Sequence, residues 1–188
     1  MNAQHQPTGS AYFIAQNTQA PELHTLSVLV NNEPGVLARV IGLFSGRGYN
    51  IESLTVAVVD TERELSRITL LTSGTRMIVE QIKAQLGRLV PVRKVIDLTD
   101  EGSHVERELV LLKVEGTGDK RVEALRIADI FRARAVDSTN ASFVFEVTGT
   151  TDKLDAFISL MSPLGLIEVA RTGVVGIARG ADAPEVGD

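Results

Sequence analysis

Apolar and polar positions along this chain switch repeatedly between two periods. Leu26, Val28 and Val30 stand two apart, as a strand with one buried face requires. Asn32-Glu33-Pro34-Gly35 breaks the run, and a proline near the first turn suits the start of a helix. Val36, Leu37, Val40, Ile41 and Phe44 follow at helical spacing until Gly46-Arg47-Gly48 supplies a stop. Leu54, Val56 and Val58 return to period two, Asp60 to Glu64 is a charged turn, and Ile68, Leu70 and Thr72 predict a third strand. Ile78, Ile82, Leu86 and Leu89 line one face of a second helix, which Pro91 closes before a fourth strand from Val92 to Leu98.

The polar stretch Asp100 to Arg107 reads as a linker, and after it the order recurs. Leu109 to Val114 is a strand, and Gly116-Thr117-Gly118-Asp119 is a turn with Asp119 placed to cap a helix carrying Ala124, Ile127, Ala128 and Phe131. Ala133 to Asp137 and Phe143 to Val147 predict two strands around Ser138-Thr139-Asn140. Leu154, Phe157, Ile158 and Met161 give a second helical stripe, ended by Pro163 and Gly165 before a strand from Leu166 to Ala170. Two β-α-β-β-α-β units predict an α+β protein with two tandem ferredoxin-like domains, each an antiparallel sheet with helices on one face. The expected division is an extension at 1–22, a first domain at 23–99, a linker at 100–107, a second domain at 108–180 and a tail at 181–188. Both ends are expected to be mobile, and the short apolar patch Tyr12-Phe13-Ile14 offers the extension a place to dock. Leu29, Thr55, Ala57 and Val59 would point to the helix-free face of the first sheet, which predicts that association covers it.

Composition narrows the function classes. Lys and Arg number 19 against 24 Asp and Glu, a formal charge of −5, which argues against broad binding of a nucleic-acid phosphate backbone. Two Tyr, six Phe and no Trp leave little for stacking bases. The absence of Cys excludes disulfides, thiolate metal sites and thiol catalysis. No apolar run approaches the roughly 20 residues of a membrane span, and the start lacks a basic, apolar leader, so a soluble cytoplasmic protein is expected. His5, His24 and His104 have no mutual ligand spacing and read as surface residues. Gly116 and Gly118 begin a dinucleotide-type loop, but Arg121 holds the third glycine position, so a strand-to-helix turn explains them. Glu106 and Glu108 flank Arg107 beside the linker and read as solvated. With no catalytic constellation and no metal site expected, the pattern is that of a binding or regulatory module.

The most informative stretch is Asn31 to Leu37, where a strand turns tightly into a helix. The first backbone N–H groups of a helix lack internal partners and carry partial positive charge, so they suit a carboxylate. Gly35 would let a ligand approach the backbone, and Asn32 offers an acceptor to an ammonium group. The plainer alternative is that Asn32 caps the helix and Gly35 only relaxes the turn.

From His24 to Gly180 the chain resembles the small, regulatory subunits of acetolactate synthase (acetohydroxyacid synthase). The resemblance rests on Leu26 to Val30, Asn32-Glu33-Pro34-Gly35, Arg39 to Ser45, Arg47 to Ala57, His104 to Glu108, Lys153 to Phe157 and Glu168 to Gly176. The first half resembles an ACT domain, the amino-acid-sensing version of this fold. The resemblance implies a large catalytic partner that uses thiamine diphosphate, Mg²⁺ and FAD, while this chain holds no cofactor. That enzyme joins two pyruvates, or pyruvate and 2-oxobutyrate, in branched-chain amino acid biosynthesis. The small subunit is implied to activate it and to confer feedback inhibition by valine. The resemblance further implies a homodimer through ACT domains, with an effector site of Asn32, Gly35, Val36 and Leu37 from one chain and Asn50 and Ile51 from its neighbour. The second half lacks an Asn-rich effector turn, so a structural or partner-binding role is expected there. A free-standing tandem ACT sensor is the alternative; an RNA-binding domain would need aromatics that strands 26–30 and 68–72 lack.

Overall fold

The structure, a computed structural model, describes residues 20–181. The expectations for residues 1–19, Tyr12-Phe13-Ile14 included, and for 182–188 lie outside those residues. The first unit runs β1 (Glu22–Asn31), α1 (Val36–Arg47), β2 (Ser53–Asp60), β3 (Leu65–Gly74), α2 (Arg76–Leu86) and β4 (Val92–Asp97). The second runs β5 (His104–Glu115), α3 (Gly118–Phe131), β6 (Arg134–Ser138), β7 (Ser142–Gly149), α4 (Thr151–Met161) and β8 (Leu166–Arg171), followed by β9 (Val175–Ala178). The sheet orders are β2-β3-β1-β4 and β6-β7-β5-β8, all pairs antiparallel, which is the split βαβ arrangement the element order predicts.

Each sheet has its own core. Leu26, Val28 and Val30 of β1 meet Ile68 and Leu70 of β3 under Val36, Val40 and Phe44 of α1 and Val79, Ile82 and Leu86 of α2. Val110, Leu112 and Val114 of β5 pack with Phe143, Phe145 and Val147 of β7 under α3 and α4, where Phe157 stands edge-on to Phe145 at 6.5 Å. The helix stripes follow the predicted spacing, except that α2 ends at Leu86, before the predicted Leu89, and the start of α3 differs from expectation. Helix α2 begins at Arg76, where the Thr75 hydroxyl accepts the Ile78 N–H at 3.5 Å. Helix α3 is preceded by Thr117, not capped by Asp119, which lies in its first turn.

Two further corrections concern the junction between the units. β1 includes Glu22, and β5 begins at His104, so part of the stretch read as a linker is strand. The reason is β9: His104 to Arg107 pair with Ala178 to Val175, and a polar segment becomes a strand once another backbone satisfies its N–H and C=O groups. β9 also supplies cover for the helix-free face of the first sheet. Gly176 comes so close that a Cβ there would lie 2.7 Å from Leu98 Cδ1 and 3.5 Å from Thr25 Cγ2. Thr25, Ser27 and Leu29 are therefore buried within a single chain, whereas Ala57 and Val59 on β2 stay exposed.

Candidate functional site

The turn from β1 into α1 is pinned from both sides. The Asn31 N–H donates to the Pro91 carbonyl at 2.8 Å, and the Asn31 side-chain oxygen accepts Arg93 Nε at 2.7 Å. The Asn32 N–H donates to the Glu64 carbonyl at 2.6 Å. The chain then enters α1 through Gly35 at φ 86°, a left-handed conformation that a Cβ would strain. No side chain caps the helix, and no acidic residue stands in its first turn. The capping role considered for Asn32 is thus not what the turn uses, and Asn32 and Gly35 are both exposed. Val36 is buried in the core, while Leu37 faces outward, one turn from the exposed Ile41.

Asn50 and Ile51 lie past the other end of the same helix. Gly48, also left-handed, closes α1 by donating to Phe44 and Ser45, and Tyr49 packs edge-on to Phe44. The Asn50 carbonyl accepts the Thr72 hydroxyl at 2.6 Å, and its side-chain N–H donates to Glu52 at 2.5 Å. Ten helical residues, Ala38 to Arg47, separate the two groups, roughly 15 Å at 1.5 Å per residue. One amino acid cannot touch both groups in one chain. Within the chain the six residues therefore lie in two separate groups, not in one pocket.

Sequence reasoning missed a polar joint between the units. Glu108, read as solvated, is buried; it accepts Arg171 Nε at 2.9 Å, Arg171 Nη2 at 2.6 Å and the Gly173 N–H at 3.2 Å. Arg171 also reaches Asp155 at 2.6 Å, and the bond to Glu108 pushes its pKa up, so the guanidinium stays charged. This clamp aims Val174 at β2, where the Val174 N–H donates to Ser53 Oγ (3.3 Å) and its carbonyl accepts the Thr55 hydroxyl (3.2 Å). A cavity of about 660 Å³ lies beside it, lined by Glu52, Ser53, Glu108, Arg171 and Val174 among others. Ser53 stands three residues after Asn50, so the second unit grips the strand that follows Asn50 and Ile51. The available signal was the alternation of Ser53 and Thr55 with Leu54 and Val56, which puts hydroxyls on the sheet's helix-free face.

His24 is also corrected. It is buried, and its Nδ1 lies 2.8 Å from Asp97 Oδ2, joining the start of β1 to the end of β4. Asp100 brings a third potential metal ligand within 4.8 Å. Asp97 Oδ1 already accepts the N–H groups of Thr99 and Asp100, at 3.0 and 3.4 Å. Both Asp97 oxygens are thus engaged in holding the turn. Nearby, burial disfavours the Lys83 charge, but hydrogen bonds to Glu80 and Glu101 outweigh it and raise the pKa above the ordinary 10.5.

Among the described residues, no helix is long and apolar enough to cross a membrane. Residues 107–180 match the family described as the small subunit of acetolactate synthase, and residues 26–94 match the ACT domain of such small subunits. A probable acetolactate synthase small subunit from Archaeoglobus fulgidus is 50% identical over 157 residues, covering 84% of this chain and 97% of that one. The small subunit of acetolactate synthase isozyme 3 from Escherichia coli is 50% identical over 156 residues, covering 82% and 94%. The crystal structure of the acetolactate synthase small subunit from Thermotoga maritima superposes with a TM-score of 0.77 at 38% identity, covering 86% of this chain and 99% of that one.

Proposed function

The chain belongs to the acetolactate synthase small-subunit family, and on that footing we propose that it is a regulatory subunit that binds and activates a large catalytic subunit and makes it sensitive to valine. The catalytic partner would supply thiamine diphosphate, Mg²⁺ and FAD, and with them the joining of two pyruvates, or of pyruvate and 2-oxobutyrate. This chain's part is to sense the product of the pathway.

The observation that carries the reading is the start of α1. Its first turn has no side-chain cap and no acidic residue of its own, the nearby Glu33 carboxylate being turned to Arg39 at 3.4 Å, and it stands beside a glycine whose missing side chain leaves the approach open. An effector carboxylate fits there, with its ammonium group toward the Asn32 side-chain oxygen. Leu37, next to the core residue Val36, would enclose a branched side chain together with Ile51 of a second copy, whose Asn50 would complete the polar contacts. The separation of the half-sites along α1 supports a homodimer through the ACT units. Exposed Val56 and Val58 on the edge strand β2, and Leu37 and Ile41 on α1, are apolar surface available for it. Effector binding would favour one arrangement of the paired units and the catalytic subunit the other. A coupling of about 1–3 kcal/mol between the two is typical of such systems.

The test is acetolactate formation from pyruvate by the matching catalytic subunit, titrated with valine, with and without this chain. Stimulation and valine inhibition should both depend on the chain. Gly35→Asp, which sets a carboxylate against that of the effector, should abolish inhibition and spare stimulation. Gly35→Asn, which tolerates the left-handed backbone, should keep most of the inhibition. Unchanged inhibition in Gly35→Asp, with the catalytic subunit still bound, would reject this site. Valine binding without any effect on acetolactate formation would identify a free-standing sensor instead.

A further inference from the structure

A second cavity, about 560 Å³, opens on the helix-free face of the first sheet. Ser27, Ile96 and Leu98 form part of its lining, with Ile177, Ala178 and Arg179 of the β9 segment opposite. The strand register sets two cations in it. Leu29 pairs with Arg67 on one side and with Lys94 on the other, so the three share one row across β3, β1 and β4 and point the same way. At about 4.8 Å per strand, the Cα atoms of Arg67 and Lys94 stand roughly 10 Å apart, a span that two long side chains can close around one ligand.

Among the described residues, the ion pairs include neither Arg67 nor Lys94. Glu101, an acid in the wall, is engaged by Lys83 Nζ and by the Asp97 N–H. His104 Nε2 faces Glu106. Arg67 Nε is excluded from solvent and, among the described residues, has no acceptor in reach, which is costly for a guanidinium. Arg179 adds a third positive charge at the rim, its Nε held by the His104 carbonyl at 3.2 Å.

We propose that this cavity binds a compact organic dianion, whose charged oxygens meet Arg67 and Lys94 and whose body rests on Ile96, Leu98 and Ile177. Arg67 and Lys94 belong to the first sheet and Arg179 to the segment after β9, so the ligand fastens the second unit's ribbon onto the first sheet. The site lies on the opposite face of the sheet from α1 and is independent of the valine reading.

The experiment uses the full chain, with calorimetric titration and thermal unfolding in succinate, inorganic phosphate and acetate at matched ionic strength. A dianion should bind saturably, one per chain, and raise the unfolding midpoint, while acetate should not. Response to succinate alone assigns a dicarboxylate, and response to phosphate alone assigns a phosphoryl group. Arg67→Met and Lys94→Met should each weaken binding by about tenfold or more. If Arg67→Met does not fold, Lys94→Met decides alone. A midpoint that follows ionic strength only, or binding of unchanged affinity in Lys94→Met, overturns the proposal.

Discussion

The two units share strand order and element order but differ in how they treat the entrance of their first helix. Helix α1 begins at a left-handed glycine with no cap and no acid in its first turn. Helix α3 also begins beside a left-handed glycine, Gly118, but carries Asp119 in its own first turn. The same backbone device is left open in the first unit and supplied with an internal carboxylate in the second. The sheets differ as well. The first has part of its helix-free face under β9 and buries Thr25, Ser27 and Leu29, whereas every residue of the second unit's edge strand β6 is exposed. One fold thus carries differently furnished helix entrances and sheet faces in its two copies.

The strongest way to break this comparison is to remove the support. Arg171→Ala leaves Glu108 buried without its cation, and stability should fall by about 3 kcal/mol in urea unfolding. Arg171→Lys should recover only part, because an ammonium cannot make the paired contact. A smaller step is Ser53→Ala, which removes the acceptor of the Val174 N–H and should cost about 1 kcal/mol. If Val174 transmits the state of the second unit to β2, Ser53→Ala should also weaken the stimulation of acetolactate formation.

Asp119→Asn sharpens the contrast between the helix starts. It should lower stability by about 0.5 kcal/mol through the lost interaction with the helix dipole, and leave valine inhibition unchanged. New valine sensitivity in that variant would mean that the second unit is a latent receptor. The smallest effect concerns Lys83, whose pKa is raised in the folded state. Its stabilising pairing with Glu80 and Glu101 is complete below the ordinary lysine pKa of 10.5 and is lost as pH rises through the higher folded value. Lys83→Met should therefore lower stability slightly at neutral pH, where the pairing is complete, and flatten the alkaline limb of a stability-against-pH curve.

Most of the architecture is legible in the sequence because each helix and each central strand buries its own periodic stripe. The order of Leu26, Val28 and Val30, then Val36, Val40 and Phe44, suffices to set β1 against α1. What periodicity misses are the elements that exist only through a distant partner. His104 to Arg107 is polar and carries no strand pattern of its own; it is extended because Val175 to Ala178 lies beside it. Glu108 looks solvated until Arg171, 63 residues later, closes on it. His24 looks like a surface residue until Asp97 returns at the far end of the unit. The proposed effector residues were legible as a turn chemistry at Gly35, but their division between the two ends of α1 is a matter of helix length, which the structure makes explicit.

β5 has a consequence for anyone who would take the protein apart. Its first four residues pair with β9 and its next eight with the second sheet, so one uninterrupted strand runs through the place where the two halves meet. Cutting the gene there would slice a strand in two. The first half made alone would bare Thr25, Ser27 and Leu29 and lose the Val174 contact, and the second would carry a raw edge open to mispairing. A single inserted residue between Arg107 and Leu109 would be as disruptive, since it would turn every following side chain to the opposite face. The two copies of the fold are thus bound to be inherited together.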